Sequence, residues 1–246
     1  MVQKTFLSYP RQNTQLPDGR EVMESKFAPW VNLLLIGVIA YALGAMDMSS
    51  GAAADGGTSI DGAFFPPELK MGGVRQQLTG GGTRTKYGVA KVYAVAAYLD
   101  AAGASSSLKK FSGKPKPPAA FYDALAKGTF AKTLYLQFHR AVPAPTVAEA
   151  LAESLTKRLP PGTVEKFRAA LLSVCGAEVA KGAKLYFMCK GETLSLGSGS
   201  PSVGATVKEK GTCAALFDVY VGKTPISPAA KDGIGAGFGQ RLYLAE

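Results

Sequence analysis

The chain has few of the side chains that most often carry chemistry: one histidine, three cysteines and one tryptophan among 246 residues. A lone histidine with no Cys/His cluster argues against a zinc site, and no metal is expected. The cysteines, at 175, 189 and 213, form no CxxC pair. They read as buried apolar residues, Cys175 on a helix and Cys189 at a strand end, and not as a disulfide scaffold. Acids are also scarce, 18 against 28 lysines and arginines, for a net charge of +10. A hydrophobic content of 47% with 19% charged residues excludes a wholly disordered or collagen-like chain. The length is ample for a real core.

Charge itself is missing from one stretch. Residues 28–46 contain no Asp, Glu, Lys or Arg. Nineteen residues at about 1.5 Å each reach roughly 30 Å as a helix, the thickness of a hydrocarbon core. Trp30 and Tyr41 lie near its two ends, where amphipathic rings favour the interface. A cleaved signal would sit closer to the start with a shorter apolar run, and a core helix seldom lacks charge for so long. The stretch therefore reads as an uncleaved single transmembrane helix. Lys4, Arg11, Arg20 and Lys26 precede it, and the next base is Lys70. The positive-inside bias places the N-terminus on the cytoplasmic, stromal or matrix side and the rest of the chain across the membrane. The organisation expected is a polar segment over 1–27, the helix over 28–46, a flexible Gly/Ser-rich linker over 47–67, and a domain over 68–246. From residue 70 onward there are 24 bases and 11 acids, so the whole positive excess lies in that domain.

Within the domain, Lys91–Leu99 is almost continuously apolar, as in a strand covered on both faces. Leu134, Leu136 and Phe138 alternate with Tyr135, Gln137 and His139, which predicts a half-buried strand. Residues 183–189 and 192–196 read as a hairpin around Lys190-Gly191. Thr146 with Glu149 forms a capping-box pattern ahead of a helix lined by Val147, Leu151, Leu155 and Leu159. A second helix starts near Thr163 and ends at Gly176, a third covers 214–221, and Ser227-Pro228 opens a fourth. Strands first, with helices layered afterwards on one face, give an α+β fold.

Two apparent motifs carry no catalysis. His139 beside Arg140 has no nucleophile to serve and reads as a surface residue. Gly233–Gly239, four glycines at every second position, lacks the Lys-Ser/Thr of a phosphate loop and reads as close helix packing. Lys109, Lys110, Lys114 and Lys116 flank Phe111 in a Gly/Pro-rich loop. This basic loop suits docking to anionic headgroups or an acidic partner surface; nucleic acid is not expected.

Three blocks together resemble the chalcone isomerase-like family: Gly80–Lys86 with Lys91–Asp100, Leu134–Arg140 with the following helix, and Leu216–Ser227. They occur in the family's order and cover roughly residues 68–246. The resemblance implies an open-faced β-sandwich, a large antiparallel sheet with helices on one side. It further implies that Arg84 and Tyr93 match the arginine and tyrosine that hold the carboxylate in the fatty-acid-binding branch, with Arg75 as the fallback for the arginine. The isomerase's active-site tyrosine and late threonine would fall near Val142-Pro143 and Phe217, where those hydroxyls are missing. No catalytic residue is therefore expected, nor any cofactor beyond a bound fatty acid or lipid.

The function expected is a non-catalytic, membrane-anchored accessory subunit of a photosynthetic or respiratory complex, partnered by membrane lipid and neighbouring subunits. A thylakoid setting is favoured over a mitochondrial inner membrane. The alternatives are a membrane-tethered fatty-acid or lipophile carrier and an isomerase acting on a lipophilic substrate.

Overall fold

A computed structural model describes residues 56–241 apart from Gly113 and Pro115. The apolar run 28–46, with Trp30 and Tyr41, lies outside them, and no helix among the described residues is long and apolar enough to cross a membrane. The chain begins with a small hairpin, β1 (Thr58–Ile60) and β2 (Ala63–Phe65). Next come β3 (Glu68–Met71), the long β4 (Val74–Lys86) and β5 (Ala90–Leu99). Two helices, α1 (Ala101–Leu108) and α2 (Ala119–Lys127), lead into β6 (Lys132–Phe138). A short pair, β7 (Val142–Pro143) and β8 (Glu178–Val179), brackets α3 (Ala144–Leu155) and α4 (Pro161–Cys175). The chain then forms β9 (Lys184–Lys190), β10 (Thr193–Ser198) and β11 (Ala205–Val207), and closes with α5 (Thr212–Val221) and α6 (Pro228–Arg241).

The central sheet has seven strands in the order β11-β10-β9-β6-β5-β4-β3, each antiparallel to its neighbour. Alternation divides every central strand between two cores. Val95, Ala97, Leu134 and Leu136 face the helices, while Ala94, Ala96, Tyr98 and Tyr135 face the other way. All helices among the described residues pack on the first side, so the expected antiparallel α+β layering is present there. The two-residue turn at Gly191-Glu192 makes the expected β9–β10 hairpin, and Gly191 has φ 59, a conformation open to glycine.

The second face is not bare, and here two expectations fail. Residues 56–67, read as linker, are ordered: Ala63 and Phe65 are buried against that face. Phe65 meets the Tyr135 ring edge-on at 4.8 Å, and Tyr135 stacks on Tyr186 at 4.6 Å. Tyr135 is therefore buried and not solvent-facing. The Gly/Ser content of this segment concealed two short apolar pairs that a neighbouring sheet could cover.

Helix ends also differ in detail. α3 begins at Ala144 with Pro143 as N-cap and no side-chain cap, so the Thr146/Glu149 box does not form. Proline's fixed φ sets that start instead. Gly176, at φ 67, ends α4 as expected. Ser227 caps α6, accepting the Ala230 N–H at 3.2 Å and donating to the Thr83 carbonyl at 2.9 Å.

The cysteines correct a third expectation. Cys189 on β9 and Cys213 on α5 form a disulfide, with Cα atoms 5.6 Å apart. Only Cys175 is free; burial pushes its thiol up to about 11.

α6 lies on β4 backbone to backbone. A Cβ at Gly237 would sit 1.5 Å from the Thr79 carbonyl oxygen, and one at Gly233 would sit 1.9 Å from that of Gly81. On the strand side, a Cβ at Gly80 would meet the Gly233 oxygen at 2.2 Å. The glycines of both elements therefore interlock, which is the close helix packing expected of Gly233–Gly239.

Candidate functional site

The site is assembled where β4, β5 and α5 meet. In the β4–β5 register Arg84 stands opposite Tyr93, and the register shifts immediately afterwards, between Arg84 and Thr85. Such an irregularity bends a strand and re-aims its side chains. Tyr93 points into the helix-side core, where its ring packs on Phe138 at 5.3 Å. Its phenol oxygen lies 2.9 Å from that of Tyr220, delivered by α5. Both tyrosines are buried, whereas Arg84 is half-buried.

Electrostatics fix what the trio can do. Burial raises the Tyr93 phenol, with the Tyr220 hydrogen bond and the Arg84 charge opposing it. Burial also raises Tyr220, and its contact with Tyr93 adds to that. Both remain neutral donors at physiological pH. One guanidinium N–H of Arg84 donates to the Thr85 carbonyl. Among the described residues no carboxylate forms a salt bridge with Arg84. A guanidinium with donors to spare beside two protonated phenols presents hydrogen-bond donors of the kind an anion accepts.

The structure brings together Arg84 and Tyr93 and adds Tyr220, which the sequence does not single out within the helix expected over 214–221. Its partner is 127 positions away, so no local pattern could reveal it. Arg75 is apart from this cluster, exposed and paired with Glu68 at 3.0 Å. Val142 and Pro143 form β7, and Phe217 is fully buried beside the amine of Lys132.

The basic loop lies elsewhere. Ala229, near the start of α6, touches Gly82 close to Arg84, whereas Lys114 meets Gly239 near its end. Lys109, Lys110, Lys114 and Lys116 are exposed, with Lys110 over the Phe111 ring at 5.1 Å. The loop thus sits at the opposite end of α6 from Arg84.

His139 is half-buried and not a surface residue: its Nε2 is buried without a hydrogen-bond partner among the described residues. Burial lowers its pKa, opposed by Asp61 and reinforced by Lys91 and Lys181. Asp61 itself bonds Lys91 and Thr83, and these contacts hold its carboxyl below the usual range. Among the described residues no group of three or more His, Cys, Asp or Glu could hold a metal.

A cavity at the α1 end of the sheet lies away from the trio, at the opposite end of the β4–β5 ladder. It measures about 10 Å³ and is lined by Gln77, Leu78, Thr79, Leu99, Ala101, Ala104 and Phe238. It has room for one water at most and includes none of the trio.

A family model described as chalcone isomerase-like matches residues 57–234. Among solved structures, 38 chains match. One is the crystal structure of a fatty-acid binding protein from Arabidopsis thaliana, 20% identical, covering 74% of this chain and 96% of that one, with a TM-score of 0.62. At that identity the likeness shows the fold alone. No curated protein matches.

Proposed function

This chain belongs to the chalcone isomerase-like family, and from that premise we propose that its domain is a non-catalytic binding protein for a lipophilic carboxylate such as a fatty acid. The observation that carries the reading is the convergence of Arg84, Tyr93 and Tyr220. A carboxylate would take charge-assisted bonds from the guanidinium and a further bond from a phenol. Its tail would gain about 0.8 kcal/mol per buried methylene. Catalysis is left out because apolar side chains stand at Val142 and Phe217, where the resemblance calls for hydroxyls.

Space for the tail requires α6 to lift. Four of its residues, Gly233, Gly235, Gly237 and Gly239, each weaken a helix by about 1 kcal/mol relative to alanine. The helix is therefore held by tertiary contact with β4 and not by its own propensity, so a ligand must outweigh that contact to lift it.

The test is titration of a long-chain fatty acid into the wild type, Arg84→Ala and Tyr220→Phe, with hydrogen exchange followed across α6. Loss of a charged hydrogen bond predicts roughly 10- to 100-fold weaker binding for Arg84→Ala, and faster exchange in α6 when ligand binds the wild type. Equal affinity for wild type and a folded Arg84→Ala would remove the proposal.

The setting remains part of the proposal. The disulfide Cys189–Cys213 favours an oxidising compartment. That agrees with the apolar run as a membrane anchor and the domain on a lumenal or intermembrane side. A second reading, an accessory subunit of a membrane complex, is favoured by the exposed basic loop at Lys110, Lys114 and Lys116. Comigration with a large assembly after gentle detergent extraction would support it, and migration as a monomer would count against it.

A further inference from the structure

The β4–β5 hairpin ends in Lys86-Tyr87-Gly88-Val89, and Tyr87 and Val89 are the most exposed large apolar side chains among the described residues. Tyr87 is 86% exposed and Val89 84%, against about half for Phe64 and Val203. Tyr87 also holds φ 55, a left-handed conformation that glycine or asparagine adopts more readily. A turn under folding selection alone would favour those residues and a polar tip.

The surroundings of the tip are basic. Phe138 pairs with Tyr93 at this end of the sheet, and the Gly182 N–H donates to the Phe138 carbonyl at 2.8 Å. Arg140 and Lys181 therefore share the end with Lys86 and Lys91, and all four are exposed. Asp61 also lies at this end, and it is already paired with Lys91. An apolar tip inside a ring of bases matches the boundary of an anionic bilayer. There an aromatic ring with a polar edge is favoured, long basic side chains keep their heads among phosphates, and each base adds attraction.

We propose that this end of the sheet, led by Tyr87 and Val89 and ringed by Lys86, Arg140 and Lys181, docks onto the headgroup layer of an anionic membrane. Docking would put the Arg84 end of the domain at the lipid surface. The proposal rests on exposure and charge and stands whether or not the Arg84 cluster holds a fatty acid. It is also distinct from the basic loop, which lies at the other end of α6.

The test uses the full chain with Cys175→Ser, reconstituted in vesicles with and without phosphatidylglycerol. A polarity-sensitive fluorophore is placed at Val89→Cys or, as a far-end control, at exposed Ser106→Cys. The proposal expects a blue shift and quenching by nitroxide-headgroup lipid at position 89 in anionic vesicles, with position 106 remaining in water. Lys86→Gln and Lys181→Gln should each weaken docking by about fivefold, and added salt should weaken it further. A water-like probe at position 89 in anionic vesicles overturns the proposal, as does equal quenching at both positions. Photocrosslinking from position 89 to a protein in native membranes, without lipid quenching, would overturn it in favour of a protein partner.

Discussion

Tyr93 and Tyr220 share a 2.9 Å hydrogen bond between phenol oxygens across 127 positions of sequence, fastening α5 to the centre of the sheet. Each ring sits in the apolar core, and the Tyr93 hydroxyl is partnered by both Tyr220 and Arg84. Arg84, opposite Tyr93 on β4, is the charge nearest this pair. The same bond that stabilises the fold thus fixes the phenols beside Arg84.

Tyr220→Phe should destabilise the domain by about 1–2 kcal/mol, because it leaves the Tyr93 hydroxyl buried with one partner fewer. The double variant with Tyr93→Phe should lose less than the sum of the two single changes. Denaturant titration of the four proteins checks this. The phenols also set an alkaline limit. Both are raised when folded, so above about pH 10 the unfolded chain releases protons that the folded chain keeps. Stability should fall as pH climbs past that value, and less steeply in the double variant.

Gly237→Ala should destabilise by about 1–3 kcal/mol, since its Cβ would fall 1.5 Å from the Thr79 carbonyl oxygen and the helix would have to move off the strand. Gly162→Ala, in the first turn of α4 with nothing within 4 Å of its Cβ, should instead stabilise by about 0.5–1 kcal/mol. Thermal melts of the two variants distinguish steric interlock from a general glycine effect.

Much of this was legible where the signal is local. Lys190-Gly191 marked a hairpin, Gly176 ended α4, Ser227-Pro228 opened α6, and the spaced glycines of 233–239 announced close packing. What stayed hidden depends on which distant segment covers a residue. Tyr135 alternates like a surface residue until Phe65 arrives from a stretch that reads as linker. Cys189 and Cys213 lack motif spacing and meet because β9 and α5 pack together. Tyr220 has the burial of any helix-core aromatic, and only its contact with Tyr93 sets it apart.

Reduction, or Cys213→Ser, should lower stability by about 3 kcal/mol, the loop-closure value for a bridge spanning 24 residues. Melting with and without reductant measures it. Thiol titration of the unreduced, denatured chain should find one free group, Cys175, and Cys175→Ser should leave the reductant effect intact. Three free thiols would contradict the disulfide.

Lys132→Met should be tolerated at mildly acidic pH better than at alkaline pH, and the reason lies in what surrounds the amine. Lys132 is buried; its Nζ donates to the carbonyls of Leu125, Ala126 and Gly128 at 2.6, 2.7 and 2.7 Å. Leu125 and Ala126 belong to the last turn of α2, whose carbonyls lack helical partners and carry the negative end of the dipole, and Gly128 is its C-cap. The amine lies over the Phe217 ring at 4.7 Å, and burial brings its pKa down to about 7, with the Glu192 charge opposing. From about pH 7 to 10.5 the unfolded chain therefore binds a proton that the folded chain gives up, so this group adds stability as pH rises through that window. Methionine removes both the titration and the donors, leaving buried carbonyls unpaired at a cost of about 1–3 kcal/mol each. The gap between wild type and variant should widen from pH 6 to pH 10 in denaturant titrations. A gap independent of pH would mean that the three carbonyls and the Phe217 and Phe130 rings, the latter 5.3 Å from the amine, hold the ammonium charged throughout, and that burial does not decide its protonation.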